Sequence, residues 1–269
     1  MTVTFKNAPL VEMIAELRWG EAHLVQPNVP TVIPGMAANL DQFFMSFGGE
    51  VYQHGFRRTE RLVPPGFPVF PFQPVYRYRK DASDDTAVLF QVGSGLFSAN
   101  ATPPYRSWKI VNPTVLIGVD ALLKARLAGD AEKAFSVLSL RYINAFGQEL
   151  TQGRRIDSFM REIFGFELGF PKVIVDLVDP KSSITPQLQF RVPLVGGEML
   201  TAHVYDGAIN NEAKIIVDIT VTDTRPIAPD ADAIMAAFTK ARDVIHHVFL
   251  GLIKPIENLL QPNGDESAC

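Results

Sequence analysis

Residues 10–19, Leu-Val-Glu-Met-Ile-Ala-Glu-Leu-Arg-Trp, carry the pattern from which the fold can be worked out. Apolar and polar side chains alternate along this stretch, and a period of two places successive side chains on opposite faces of a β-strand. The predicted buried face is formed by Val11, Met13, Ala15, Leu17 and Trp19. The opposite, polar face carries Glu12, Glu16 and Arg18.

A second lead strand is predicted in the other half of the chain, at residues 135–146. If the two lead strands pair, Arg18 and Arg141 can meet carboxylates across the sheet. The sequence therefore predicts a polar network between these strands, which either stabilises the sheet or anchors a ligand. Its expected members are Glu12, Glu16, Arg18, Arg141 and Asn144.

The region after the first lead strand predicts a helix, a group of strands and a second helix. Apolar residues recur at helical spacing from Met36 to Phe47, and Gly48-Gly49 is expected to end that helix. The second helix begins near Trp108 and is expected to be broken early by Pro113. The strands between the helices are predicted at 51–62, 75–81 and 87–99.

The second half shows patterns in a similar order. A short helix is predicted near 156–164, and a long closing helix runs from Asp230 to about Leu260. Because Pro255 lies inside this helix, a kink or break near Gly251 is expected. The strands between these helices are predicted at 172–178, 187–195, 199–206 and 213–224.

These patterns predict an α+β protein built from two tandem β-α-β-meander-α repeats. We expect the repeats to form a curved antiparallel sheet, with the long helices packed on one face. The halves share no alignable residue identity, so the duplication is inferred from the order of the elements. The predicted units are a βαβββα half at 1–130, a βαββββα half at 131–262 and a flexible tail at 263–269.

Composition limits the classes of protein that this sequence can represent. The 269 residues are 47% hydrophobic and 20% charged, which is typical of a globular protein and excludes wholesale disorder or a coiled coil. A net charge of −4 argues against general attraction to nucleic acid or to an anionic membrane. Since Cys269 is the only cysteine and no signal peptide or membrane span is evident, we expect a cytoplasmic protein without metal or other cofactor.

Basic and aromatic residues are concentrated between positions 54 and 80. If Arg57, Arg77 and Arg79 share one surface, they can hold phosphates while aromatic rings stack on bases. This is the nucleic-acid alternative, and its test is binding that weakens steeply with salt. The other interpretation is a solvated arginine face over buried aromatic rings.

Three further features are given structural interpretations. Gly93-Ser-Gly95 lacks the spacing and the lysine of a phosphate-binding loop and is predicted to form a bulge or kink. His246 and His247 diverge on a helix, so they cannot easily share a metal ion and are expected to be exposed. The aromatic residues of the Pro-rich connector 63–74 are expected to pack into the core rather than to face a partner; they are Phe67, Phe70 and Phe72.

Polar residues on the strands of the second half offer an enzyme alternative. His203 and Asp218 are expected to face each other across the sheet, and with Arg191 they could serve a hydrolase or lyase. The sequence has no Gly-x-Ser-x-Gly elbow to supply an activated nucleophile, so no catalytic residue is assigned.

Two segments resemble the paired signatures of a sporadically distributed family of uncharacterised bacterial proteins of about this length. They are Asn7-Ala-Pro-Leu-Val-Glu12, continuing to Arg18-Trp19, and Leu140-Arg-Tyr-Ile-Asn144. Residues 91–100 with Trp108, and the helix from Arg242 to Ile253, look like further blocks of that family. The resemblance spans nearly the whole chain and implies no known activity. The order of elements is also similar to TATA-binding-protein-like and helix-grip folds, which offer a saddle surface or a cavity between sheet and helix.

The first functional hypothesis is a non-enzymatic binding or protein-interaction module. Its expected partner is an unknown protein or small molecule, and a homodimer is one alternative. Binding to a membrane is not expected, and nucleic acid is the less favoured partner. The candidate ligand- or partner-binding residues are Glu12, Glu16, Arg18, Arg57, Arg77, Arg79, Arg141, Asn144, Arg191 and His203.

Overall fold

The computed structural model describes residues 4–20, 36–81, 88–103 and 107–263, and the side chains of the first helix from Leu40 onward. The elements of the first half are β1 (Leu10–Arg18), α1 (Met36–Tyr52), β2 (Arg58–Arg61), β3 (Pro74–Arg79), β4 (Val88–Gly93), β5 (Leu96–Ala101) and α2 (Trp108–Ala125). Those of the second half are β6 (Val137–Phe146), α3 (Gln148–Thr151), α4 (Ile156–Glu162), α5 (Lys172–Val175), β7 (Leu188–Pro193), β8 (Met199–Ile209), β9 (Glu212–Asp223), α6 (Ala231–Ile253), a 3₁₀ turn (Lys254–Ile256) and α7 (Glu257–Leu260).

Nine strands of the described chain form one antiparallel sheet in the order β2-β3-β4-β5-β1-β6-β9-β8-β7. The two lead strands, β1 and β6, pair at its centre, with Ile14 opposite Arg141. On its other side β1 pairs with β5, and β6 pairs with β9. The predicted α+β class with an antiparallel sheet is confirmed, and the sheet continues without a gap from one half to the other.

The number of strands in each half differs from the prediction. The predicted strand 87–99 is a hairpin of β4 and β5 joined at Ser94-Gly95, where Gly95 has a φ of +70° that suits glycine in a tight turn. The predicted bulge at this place is therefore wrong. In the second half, residues 172–175 form α5, which follows Pro171 and carries an i,i+4 ion pair between Lys172 and Asp176. The predicted strand 172–178 is therefore wrong. The first half has four strands between α1 and α2, and the second has three between α5 and α6.

Helix α1 continues through Gly48-Gly49 to Tyr52 and so does not end where the sequence predicted. A Cβ atom added to Gly48 would lie 2.9 Å from a ring carbon of Tyr78. The hydroxyl of Tyr78 donates a hydrogen bond to the carbonyl oxygen of Phe44, at 2.8 Å. Gly48 therefore permits the close approach of a buried ring, and the predicted strand 51–62 is shortened to β2.

Proline has different effects in the long helices α2 and α6. Pro113 lies inside the continuous helix α2, so the predicted early break is wrong. Helix α6 begins after Asp230, whose carboxylate accepts a hydrogen bond from the backbone N–H of Ala233, at 2.9 Å. It ends at Ile253, and the 3₁₀ turn that contains Pro255 separates it from α7. The break expected near Gly251 is confirmed, because proline cannot supply the backbone N–H that would continue the helix.

The hydrophobic core contains the inward side chains of the sheet and the apolar faces of α1, α2 and α6. Helix α2 contacts β4 and β5, α6 contacts β6 and β9, and α1 contacts β3. The N-terminal segment closes one end of this core, where Phe5 forms an isolated bridge with Pro262. The backbone N–H of Asn263 donates to the carbonyl oxygen of Thr4, at 2.9 Å, so the predicted flexible tail does not include Asn263. Residues 264–269 of that tail lie outside the described residues.

Candidate functional site on the polar face of the sheet

The polar face is the surface of β5, β1, β6, β9 and β8 that points away from the core. In β1, the buried Met13, Ala15 and Leu17 alternate with less buried residues that point to this face. The pairing of the lead strands places side chains of β1 and β6 side by side on it. Its polar and charged residues include Glu12, Glu16, Arg18, Ser98, Asn100, Ser139, Arg141, Thr201, His203, Asp218, Thr220 and Thr222.

Arg141 lies at the centre of the polar face and binds Asp218 of β9. Its Nε donates to both carboxylate oxygens, at 2.9 and 3.0 Å, and its Nη2 also donates to Oδ2. The Arg141 side chain is 42% exposed and that of Asp218 is 12% exposed. The hydrogen bond with Asp218 raises the pKa of Arg141, so the guanidinium keeps its charge. Arg141 is therefore held in a fixed direction while part of it remains open to solvent.

The carboxylates of β1 have other partners, which is why Arg141 does not bind them. Glu12 accepts a hydrogen bond from Asn100 of β5, at 2.8 Å, and Asn100 in turn accepts one from Ser98, at 2.9 Å. Glu16 pairs with Arg18 of its own strand, at 2.7 Å. Ser98 and Asn100 are buried, so this chain of hydrogen bonds satisfies polar groups that would otherwise be costly to bury. The sequence reasoning missed both residues, although Ser98 lies within the predicted strand 87–99 and Asn100 lies one residue beyond it.

Asn144 does not belong to the polar face. Outward and inward residues alternate along β6, so Arg141 points outward while Tyr142 and Asn144 point toward the helices. Asn144 is 3% exposed, and its Nδ2 lies 3.4 Å from the carbonyl oxygen of Val217. Asn144 therefore lies on the opposite side of the sheet from the other predicted members of the network.

Only two of the three arginines of the nucleic-acid alternative share a surface. Arg77 and Arg79 alternate with inward residues of β3, and Arg77 donates to Glu60 of β2, at 3.2 Å. Arg57 precedes β2, and its guanidinium carbon lies 5.7 Å from the ring centre of Tyr52, at the end of α1. This places Arg57 on the helix side of the hairpin, away from the other two arginines.

The aromatic residues of this region are divided between core and surface. Phe56 and Tyr78 are buried, so their rings are not available to stack on bases. Phe67 and Phe70 of the connector are 65% and 52% exposed, and the expectation that they pack into the core is wrong. Only Phe72 of the three connector rings is half-buried, and Arg18 lies over its face with the guanidinium carbon 5.4 Å from the ring centre.

The enzyme alternative receives no support from the geometry. His203 lies opposite Asp218 in the strand register, but the carboxylate of Asp218 is occupied by Arg141. The ring of His203 instead lies against Tyr205, with ring centres 4.4 Å apart. Arg191 is exposed on β7, the last strand of the sheet. The geometry therefore shows no hydrogen bond between His203 and Asp218, which a histidine of a hydrolytic site would need for its orientation.

Neither the clustering of metal-binding side chains, nor the apolar content of the helices, nor comparison with known proteins indicates a function. Among the residues that the structure describes, no group of three or more histidine, cysteine or acidic side chains is placed to hold a metal ion. The helices of those residues include none with the length and apolar content needed to cross a membrane. No family model, curated protein or solved structure matches the chain.

Proposed function

We propose that this protein is a non-enzymatic binding module that holds another protein on its polar face. The observation that carries the proposal is the position of Arg141: its guanidinium is half-exposed at the centre of the sheet and fixed by Asp218. A few residues carry most of the binding energy of a protein interface, and arginine is enriched among them. A side chain that is already oriented loses less conformational freedom on binding than a mobile one does.

The mixture of charges on the polar face favours a protein partner over a nucleic acid. Glu12, Glu16 and Asp218 lie among Arg18 and Arg141, so the face has no continuous positive surface. Phosphate backbones require such a surface, because neutralising them supplies most of the affinity. A partner protein whose surface also carries both signs of charge can complement the polar face and fix the relative orientation of the two proteins.

The order of the strands supports the tandem-repeat interpretation as part of the same proposal. β1 and β6 lie at the centre, and each is followed outward by the last strand of its own half, β5 or β9. If the long helices α1, α2 and α6 cover only one face, the other face is a broad surface similar to the saddle of TATA-binding-protein-like folds. A reducing, cytoplasmic location suits the single cysteine of the sequence.

Native mass spectrometry of gently purified protein tests this proposal, because it measures the oligomeric state and any co-purifying mass together. Arg141→Ala removes the guanidinium and leaves the carboxylate of Asp218 without its partner. We expect a protein partner to bind the wild type and to bind this variant at least about tenfold more weakly. Melting temperatures recorded in parallel distinguish loss of binding from loss of folding.

Arg161→Ala is the matched control, since Arg161 is an exposed arginine of α4, a helix that packs through Phe159 on Phe146 at the inner side of the sheet. It should keep the partner at the wild-type affinity. If folded Arg141→Ala retains the partner as well as Arg161→Ala does, the polar face is not the binding surface. A co-purifying small molecule without any protein would also contradict the proposal.

A further inference from the structure

A small cavity lies on the opposite side of the sheet from the polar face. It has a volume of about 80 Å³ and is bounded by the N-terminal segment, β6, the start of α2 and the middle of α6. Its size corresponds to roughly two to three water molecules. Tyr142 and Asn144 of β6 form part of its wall, which is where the inward-pointing Asn144 lies.

Helix α6 presents one face to this cavity. Arg242, Ile245, His246 and Phe249 are spaced i, i+3, i+4 and i+7, so they lie on the same side of the helix. The expectation that both neighbouring histidines are exposed is therefore wrong for His246, which is half-buried, and holds for His247. Burial lowers the pKa of His246, and the charge of Arg242 lowers it further.

Two polar atoms at the cavity have no hydrogen-bond partner among the described residues: Nε1 of Trp108 and Nε2 of His246. Trp108 is 7% exposed, and its Nε1 can only donate. Buried donors in folded proteins are nearly always paired, so an unpaired one at a cavity points to a missing acceptor. These atoms are the main indication that the cavity takes a ligand.

The cationic groups around the cavity indicate the charge of that ligand. Trp108 is the first residue of α2, an 18-residue helix whose N-cap, Ser107, makes no side-chain capping bond. The N-terminus of a helix carries partial positive charge and backbone N–H donors. Arg242 adds a guanidinium, and one of its nitrogens already pairs with Asp243, at 2.9 Å. One cation, a helix N-terminus and an indole N–H together favour a monoanion.

The remaining lining limits the shape of the ligand and, apart from His246, combines apolar side chains with the uncharged polar residues Thr4, Ser107, Tyr142 and Asn144. Phe5, Pro9, Leu10, Ile245 and Phe249 offer no charge to pair with a polar tail. We propose that the cavity binds a short aliphatic carboxylate of about the size of acetate or propionate, with its carboxylate toward Trp108 and Arg242. This site is separate from the polar face and does not depend on the proposed function.

Nuclear magnetic resonance of the tryptophan side chains tests the site directly, with sodium propionate as the probe. The chain has two tryptophans, so ¹⁵N-labelled protein gives two indole N–H signals, and Trp108→Phe identifies that of Trp108. Propionate should shift the Trp108 signal in a saturable way and leave that of Trp19, a core residue, in place. Equal concentrations of sodium chloride and of propionamide, its neutral analogue, should give no saturable shift. The proposal is overturned if propionate gives none either, or if propionamide acts as propionate does.

Substitutions of Trp108 and Arg242 test whether these two residues bind propionate. The readout is the rise in melting temperature that propionate causes. Trp108→Phe keeps the aromatic ring but removes the donor, and Arg242→Gln removes the charge. Each should weaken propionate binding at least about tenfold, the effect expected for a hydrogen bond to a charged group. Arg242→Lys keeps the charge without the guanidinium fork and should weaken binding less than Arg242→Gln.

Lys124→Gln is the matched control for the loss of a helix cation, because Lys124 is exposed on α2 and pairs with Glu50. Arg141→Ala, on the other side of the sheet, is the control for the polar face. Both should bind propionate as the wild type does. If Trp108→Phe and the two Arg242 variants also do so, propionate does not bind in this cavity and the proposal is wrong.

Discussion

Gly48 and Gly49 are adjacent in α1 but have different surroundings. A Cβ atom at Gly48 would come within 2.9 Å of the buried ring of Tyr78, whereas one at Gly49 would have no heavy atom within 4 Å. The Tyr78 ring cannot easily move, since its hydroxyl is hydrogen-bonded to Phe44. Burial also raises the pKa of Tyr78, so the hydroxyl stays protonated and continues to donate.

We expect Gly48→Ala to lower the free energy of unfolding by about 1–2 kcal/mol, because overpacking outweighs the better helix propensity of alanine. Gly49→Ala should instead raise it by up to about 1 kcal/mol. Urea denaturation of both variants measures the difference. Two stabilising substitutions would show that α1 and β3 are not packed this closely.

At the scale of the elements, a cluster of charged groups joins the start of β8, the end of β9 and the middle of α6. Glu198 accepts hydrogen bonds from Arg225, at 2.6 Å, and from Lys240, and Arg225 also binds Asp223, at 2.6 Å. The hydrogen bond from Lys240 is the main cause that lowers the pKa of Glu198. The pKa of Asp223 is lowered chiefly by Arg225. Lys240 reaches Glu198 from α6, and Arg225 reaches both Glu198 and Asp223 from the turn that follows β9.

This cluster predicts a loss of stability in acid. A carboxyl group whose pKa is lower in the folded state stabilises the protein above its unfolded pKa, which is about 4, and ceases to do so as the pH falls through the folded value. The melting temperature should therefore decrease below about pH 4.5. Glu198→Gln should be less stable near neutral pH and should show a shallower acid slope. Glu60→Gln, at an exposed carboxyl of β2, is the control and should keep the wild-type slope.

At the scale of the whole molecule, residues 168–177 form an exposed apolar segment that includes α5. Its exposed apolar side chains are Leu168, Phe170, Val173, Ile174, Val175 and Leu177. Surface patches of this kind usually mark contacts with another molecule. If the protein forms a homodimer, this segment is the surface that we expect it to use.

We expect the wild-type protein to self-associate through this segment and the double variant Val173→Asp, Leu177→Asp to be monomeric. Light scattering after size-exclusion chromatography measures the mass of each. Val195→Asp replaces an exposed apolar residue at the turn between β7 and β8 and should leave the dimer intact. A monomeric wild type at micromolar concentration would contradict the prediction.

The sequence by itself determined which residues form the main strands and which side of each strand is buried. The alternation at 10–19, 199–206 and 213–224 predicted β1, β8 and β9 because side-chain direction along a strand follows from local backbone geometry. The apolar stripe of α6 and its break at Pro255 were predictable for the same reason, since helix periodicity and the missing N–H of proline are local properties.

Only the tertiary structure decided which partners these residues meet. Arg141 binds Asp218, which the sequence placed only opposite His203, and not Glu12 or Glu16, because strand order and register depend on the packing of the whole sheet. The continuation of α1 through Gly48 likewise depends on the ring of Tyr78, which is distant in sequence. The cavity at Trp108 and His246 brings together α2, β6 and α6, and a single sequence does not encode that proximity in any local pattern.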